Sequence, residues 1–164
     1  MNILFSLTIF FAMPGFVFPS PEQVRPMYKK AATDESACKD LIKILAPFTE
    51  KNNALLSGYK GSATMMMAKY VFNPFSKMSY FNKGKHILEK AINVEKNNVE
   101  LRFLRYCVQR NIPFFLGYKT DIAADKEFIL ASVKSLDDEA LRSMIVEYFE
   151  EYGDLTSREK QLLP

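Results

Sequence analysis

From Val24 to Phe149, apolar side chains return every three or four positions, and no stretch alternates with period two over a convincing length. A spacing of three to four puts apolar groups on one face of an α-helix, whereas a half-buried strand needs alternation. The pattern therefore commits the chain to an all-α fold of six or seven helices. Hydrophobic residues make up 48% of the 164 residues and charged residues 25%. This is the balance of a chain that packs a core, and it excludes wholesale disorder. The length suits a single domain.

The stripes are separated by recognisable punctuation. Around Val24, Met27, Tyr28 and Ala31 the spacing is helical, and Pro26 fits only a first turn. Asp34 caps a helix whose apolar face is Cys38, Leu41, Ile42 and Leu45, and Pro47 ends it. Leu55, Leu56, Tyr59, Ala63, Met66, Met67 and Tyr70 form the strongest stripe. Gly58, Gly61, Ser62 and Ala68 beside it would let a neighbouring helix approach closely. After Asn73-Pro74, the stretch 75–95 is expected to bury Met78, Phe81, Leu88, Ala91 and Ile92. A helix over 99–109 buries Leu101, Leu104 and Val108. The run Ile112 to Tyr118 has no helical polarity and is expected to fold against the core. Ile122, Asp125, Phe128, Ile129 and Val133 align on the next helix. Asp137 is expected to cap the following one, with Leu141, Ile145, Tyr148 and Phe149 inward. Thr156-Ser157 opens a last short turn.

The N-terminus is different. Residues 1–20 carry no charged side chain, and Ile3 to Ala12 is mostly apolar. About ten apolar residues are too few for a membrane-spanning helix, which needs roughly 20, but they match the apolar region of a secretory signal. Pro14-Gly15 follows. No Lys or Arg follows Met1, and no small-x-small cleavage site is present. The expectation is a signal peptide over 1–20 and one helical domain over 21–164, exported to a periplasm or the exterior. The alternative is an uncleaved apolar segment that anchors the protein to a membrane. Net charge is uneven: +6 over 21–96, +2 over 97–135 and −5 over 136–164. Solvated helix faces account for this, and so does a partner of complementary charge.

Gly84-x3-Leu88-x2-Ala91-Ile92-x3-Lys96-Asn97-Asn98 resembles the second helix of a tetratricopeptide repeat, with Lys96 where that family has proline. The string from Leu55 through Lys126, including GYKGSATMMMAK, INVEKNNVELRFLR and PFFLGY, is similar to small secreted proteins of Bacteroidetes-type bacteria. These resemblances imply an exported protein of antiparallel helical hairpins, stacked so that each pair covers the next. A stack of that kind often leaves a concave, peptide-binding surface. A compact bundle without a groove is the alternative.

Signals for chemistry are sparse. His86 is the only histidine and lies between Lys83 and Lys90 on a polar face, which suits a solvated side chain. Cys38 and Cys107 sit on apolar faces and read as buried thiols, with a disulfide as the alternative in an oxidising compartment. Met65, Met66 and Met67 point in three directions round a helix and read as core filling. The carboxylates of 137–154 lack calcium-loop spacing and read as solvated. No phosphate loop, dinucleotide fingerprint or nucleophile elbow occurs. No cofactor, metal or nucleic acid is expected. Arg102, Arg105 and Tyr106 are the candidates for partner recognition, because arginine can grip a carboxylate with two hydrogen bonds. The competing reading pairs these arginines internally, with Glu100 or the acidic C-terminal helix. The expectation is a non-enzymatic exported module that binds a protein or peptide. The alternatives are an envelope-associated structural protein and a small enzyme with carboxylate chemistry.

Overall fold

A computed structural model describes residues 18–153 and 155–164. Most of the expected signal segment lies outside the described residues. The helices are α1 (Pro21–Ala31), α2 (Glu35–Ile44), α3 (Ala54–Met66), α4 (Pro74–Val94), α5 (Val99–Asn111), α6 (Ile122–Ser132), α7 (Glu139–Tyr152) and the single turn α8 (Ser157–Lys160). Three short 3-10 turns, Met67–Lys69, Phe114–Leu116 and Val133–Ser135, join them. Among the described residues there is no strand, so the fold is all-α.

Side-chain caps start most of these helices. Asp34 accepts from the Ala37 N–H, Asn53 from Leu56, Asn73 from Phe75 and Asn98 from Leu101. Each satisfies a donor that the first helical turn leaves unpaired. Two local expectations need correcting. The cap of α7 is Asp138, which accepts from Leu141 N–H at 2.9 Å, not Asp137. Pro26 lies inside α1, not in its first turn, because the helix already begins at Pro21.

α3 is the axis of the molecule. Ten of its thirteen residues are buried, and α1, α2, α4 and α5 all pack on it. A helix enclosed in this way cannot be amphipathic, and its small residues decide how closely its neighbours come. A methyl group at Gly84 would stand 2.4 Å from the Gly61 carbonyl oxygen and 2.6 Å from the Met65 amide nitrogen. At Gly61 it would stand 2.7 Å from the Leu88 nitrogen. The two backbones therefore touch. Moving up α3 from Gly58 to Gly61 to Met65, the contacts on α4 pass down from Ala91 and Leu88 to Gly84. Leu88 and Ala91 are fully buried, as their pattern requires, and His86 on the same helix is exposed.

Two apolar clusters result. The larger gathers Val24, Leu41, Tyr59, Phe81, Leu88, Ala91, Leu101 and Leu104 from α1 to α5. The smaller gathers Phe103, Tyr106, Ile129, Val133, Leu141, Ile145 and Phe149 from α5, α6, the turn after α6, and α7. α5 belongs to both. Met65 and Met67 are core residues of the larger cluster. Cys38 lies in that cluster and Cys107 against the smaller one, and both are free thiols rather than a disulfide. Met78 departs from expectation and is exposed, because the first turns of α4 run beyond the cover of the core.

Candidate functional site

Among the described residues, the buried charged side chains gather at two places. Arg25 of α1 donates from Nε and Nη2 to the two oxygens of Glu100, at 2.7 and 2.9 Å. It also donates from Nη1 and Nη2 to the two oxygens of Asp138, at 3.1 and 2.6 Å. The Tyr59 hydroxyl donates to Glu100 as well. The guanidinium thus ties α1 to α5 and the cap of α7, and Glu100 links it onward to Tyr59 of α3. These bonds hold the Asp138 carboxyl below its usual range, chiefly through Arg25, while burial raises the Tyr59 phenol.

The second place contains two of the sequence-predicted recognition residues. Arg105 is only 6% exposed. It donates from Nε and Nη2 to both oxygens of the fully buried Asp125, at 2.7 and 2.9 Å. It also meets Glu89 at 3.1 Å and Asp121 at 3.6 Å. Arg102 reaches Asp125 at 3.0 Å and the Lys96 carbonyl at 2.9 Å, with its guanidinium 4.8 Å over the Phe128 ring. Tyr106 is buried against Phe149, ring centroids 5.2 Å apart. Arg105 and Tyr106 are buried, while Arg102, with its side chain 22% exposed, is engaged at its guanidinium. α5 packs against α3, α4 and α6, and a guanidinium buried there must find its carboxylate inside the fold. The arginines are paired internally, but with Asp125, Glu89 and Asp121; Glu100 belongs to Arg25.

The buried thiols are also quiet. Burial pushes the Cys38 thiol up to about 11, and Cys107 is raised by the same cause. The Cys38 Sγ–H donates to the Ala63 carbonyl at 3.3 Å. A neutral thiol is a poor nucleophile. Among the described residues no group of three His, Cys, Asp or Glu side chains could hold a metal ion.

What the molecule does present is phenylalanine. Phe72 is 99% exposed, Phe75 87%, Phe114 84% and Phe115 81%. The first pair flanks Asn73-Pro74, where α4 begins. The second pair stands in the turn between Pro113 and Gly117. The run Ile112 to Tyr118 was expected to fold inward as a whole. Instead Ile112, Leu116 and Tyr118 turn inward while the two phenylalanines between them face water. Gly117, at φ 60°, makes the reversal that divides them. Phe81, six residues beyond Phe75, and Tyr118, three beyond Phe115, are in ring contact at 6.0 Å. Lys85 lies 4.7 Å over the Tyr118 ring.

The sequence around these rings is rich in cations. Between Glu50 and Glu89 there are six lysines and no acidic residue, and between Glu100 and Asp121 there are three arginines, one lysine and no acidic residue. The carboxylates the fold brings beside Tyr118 are Glu89 and Asp121, and both are engaged by Arg105. The fold also brings Asp34 and Glu35 close to Tyr70, two residues before Phe72.

No known family, curated protein or solved structure matches this chain.

Proposed function

We propose that this chain is a non-enzymatic, exported binding module that makes contact through the exposed rings of Phe72, Phe75, Phe114 and Phe115. The observation that carries the reading is that four phenylalanines stand almost wholly in water. Single apolar side chains are ordinary on a surface, but two pairs of phenylalanines close in sequence, each at least 81% exposed, mark places of contact. The uncharged apolar run at 1–20 supports export. Against carboxylate catalysis stand Glu100 and Asp125, both buried and both gripped by arginine.

The packing of α1 on α2, α3 on α4 and α5 on α6 supports a stack of antiparallel hairpins of the tetratricopeptide kind. The contact surface of such a stack lies here at its edge, where α4 starts and the α5–α6 connection turns, and not in a groove built from Arg102 and Arg105.

A photoreactive amino acid in place of Phe75 or Phe115 tests the reading in the native host. Adducts, to protein or to lipid, are expected at both positions and not at Glu150 on α7. Equal labelling at all three positions, or none at any, defeats it.

A further inference from the structure

We infer that processing of the exported chain cuts after Ala12 or Gly15, and that Phe18, Pro19 and Ser20 stay on the mature protein as the N-terminal lock of α1. The inference rests on the export reading above and places the cut that export implies.

The chemistry of the chain bars a later cut. Residues 18–21 read Phe-Pro-Ser-Pro. The Phe18–Pro19 and Ser20–Pro21 bonds both lead into a proline, whose nitrogen carries no hydrogen and whose ring crowds the position just after the bond. Pro19–Ser20 and Pro21–Glu22 place proline just before the bond, where a signal peptidase takes a small side chain. Ser20 is the small residue of this stretch, and proline follows it. Further back, Ala12 and Gly15 are small and are followed by Met13 and Phe16. Hydrolysis there breaks one C–N bond. Water gives its hydroxyl to the carbonyl carbon of Ala12 or Gly15 and a proton to the departing amine of Met13 or Phe16.

The fold uses what a later cut would remove. The Ser20 carbonyl accepts from the Gln23 and Val24 N–H groups at 3.0 and 3.1 Å, and the Ser20 N–H donates to Gln23 Oε1 at 3.0 Å. Next in line are Val24, fully buried, and Arg25, which grips Glu100 and Asp138. Phe18 stands edge-on to the buried Phe48, ring centroids 5.4 Å apart. A cut at Ser20–Pro21 would strip two first-turn donors of their acceptor. It would also set a cationic amine on the first residue of α1, where the helix dipole opposes positive charge. A chain that begins at Phe16 carries its amine five residues ahead of Pro21, and the dipole acts only within the first turn.

The full chain, expressed in its native host, tests this by intact mass and N-terminal sequencing of the cytosolic, membrane and exported fractions. Exported protein is expected to begin at Met13 or Phe16. Any other start in exported protein, Pro21 or Glu22 above all, overturns the inference and leaves export standing. Full-length protein confined to the cytosol removes the export reading and the inference with it. Full-length protein in the membrane fraction overturns the inference in favour of an anchored N-terminus. Two variants separate the sites, with a readout that does not depend on folding. Ala12→Leu with Gly15→Leu should accumulate the full-length precursor, whereas Ser20→Leu should leave the N-terminus where it was. Normal processing of the double variant, or a block by Ser20→Leu, overturns the inference.

Discussion

A guanidinium offers five N–H donors in one plane, and Arg25 spends four bonds on two carboxylates from distant parts of the chain. Its removal leaves Glu100 buried and without its cation, which costs about 3–5 kcal/mol. Arg25→Met should therefore lower stability by about that amount in a urea melt. Arg25→Met combined with Glu100→Leu should recover much of the loss, since apolar groups of similar size often replace a buried pair at little cost. A double variant as unstable as Arg25→Met alone would show that the bonds matter less than the shape of the arginine. Asp138 adds a pH dependence. Its folded pKa lies below the unfolded value near 3.8, so the stability it contributes is present above that value and is lost as pH falls through the folded one. Asp138→Asn keeps a good cap but no charge, and should lose less stability than the wild type between pH 5 and 2. Parallel slopes would exclude the Arg25 contact as the cause.

These residues also show what the sequence left hidden. Arginines at positions 102 and 105 share a polar stripe, and a stripe facing water looks the same in sequence as one facing a buried aspartate. The distinguishing mark was on α6, where Asp125 falls in line with Ile122 and Ile129. A carboxylate on an apolar stripe must meet a cation, and periodicity alone does not name it.

At the scale of helices, α3 and α4 were the most legible, because small residues on one and Gly84, Leu88 and Ala91 on the other leave few ways to pack. Gly84→Ala should be damaging although it adds a single methyl, since the atoms in its way belong to backbone; overpacking of this kind costs about 1–3 kcal/mol. Ala91→Leu falls in the same range by the same reasoning. Leu88→Ala should cost about 2–5 kcal/mol through the cavity it leaves. His86→Ala, exposed on the same helix, should stay within about 0.5 kcal/mol. Denaturant midpoints for the four variants test the phase of α4. If His86→Ala were the most damaging, the crossing would be misplaced. The first turns of α4 were less legible, since Met78 continues the apolar stripe past the end of its cover. The stripe there marks a surface rather than a core.

Across the whole molecule, charge and apolar surface are sorted along the chain, with the protruding rings in acid-free segments and an acidic C-terminal region at net −5. Because the four rings touch little of the fold, their combined replacement by serine should leave both helix content and melting temperature close to the wild type. A circular dichroism melt that collapsed instead would place those rings in the core. The all-α class was readable because the 3.6 period extends over nearly all of 24–149. The exposed rings were not, because an apolar residue beside a turn looks the same whether it folds inward or out.

The glycine crossing also bears on the order of assembly. Only residues 67–73 separate α3 from α4, so their contact closes a short loop, and short loops lose little entropy on closing. The second cluster must instead bring α5 together with α7, much further along the chain. The α3–α4 pair is therefore the expected folding nucleus, with the C-terminal helices condensing onto it later. In stopped-flow experiments Leu88→Ala should mainly slow refolding, while Ile145→Ala should mainly speed unfolding. The reverse pattern would put the nucleus in the aromatic cluster around Tyr106 and Phe149.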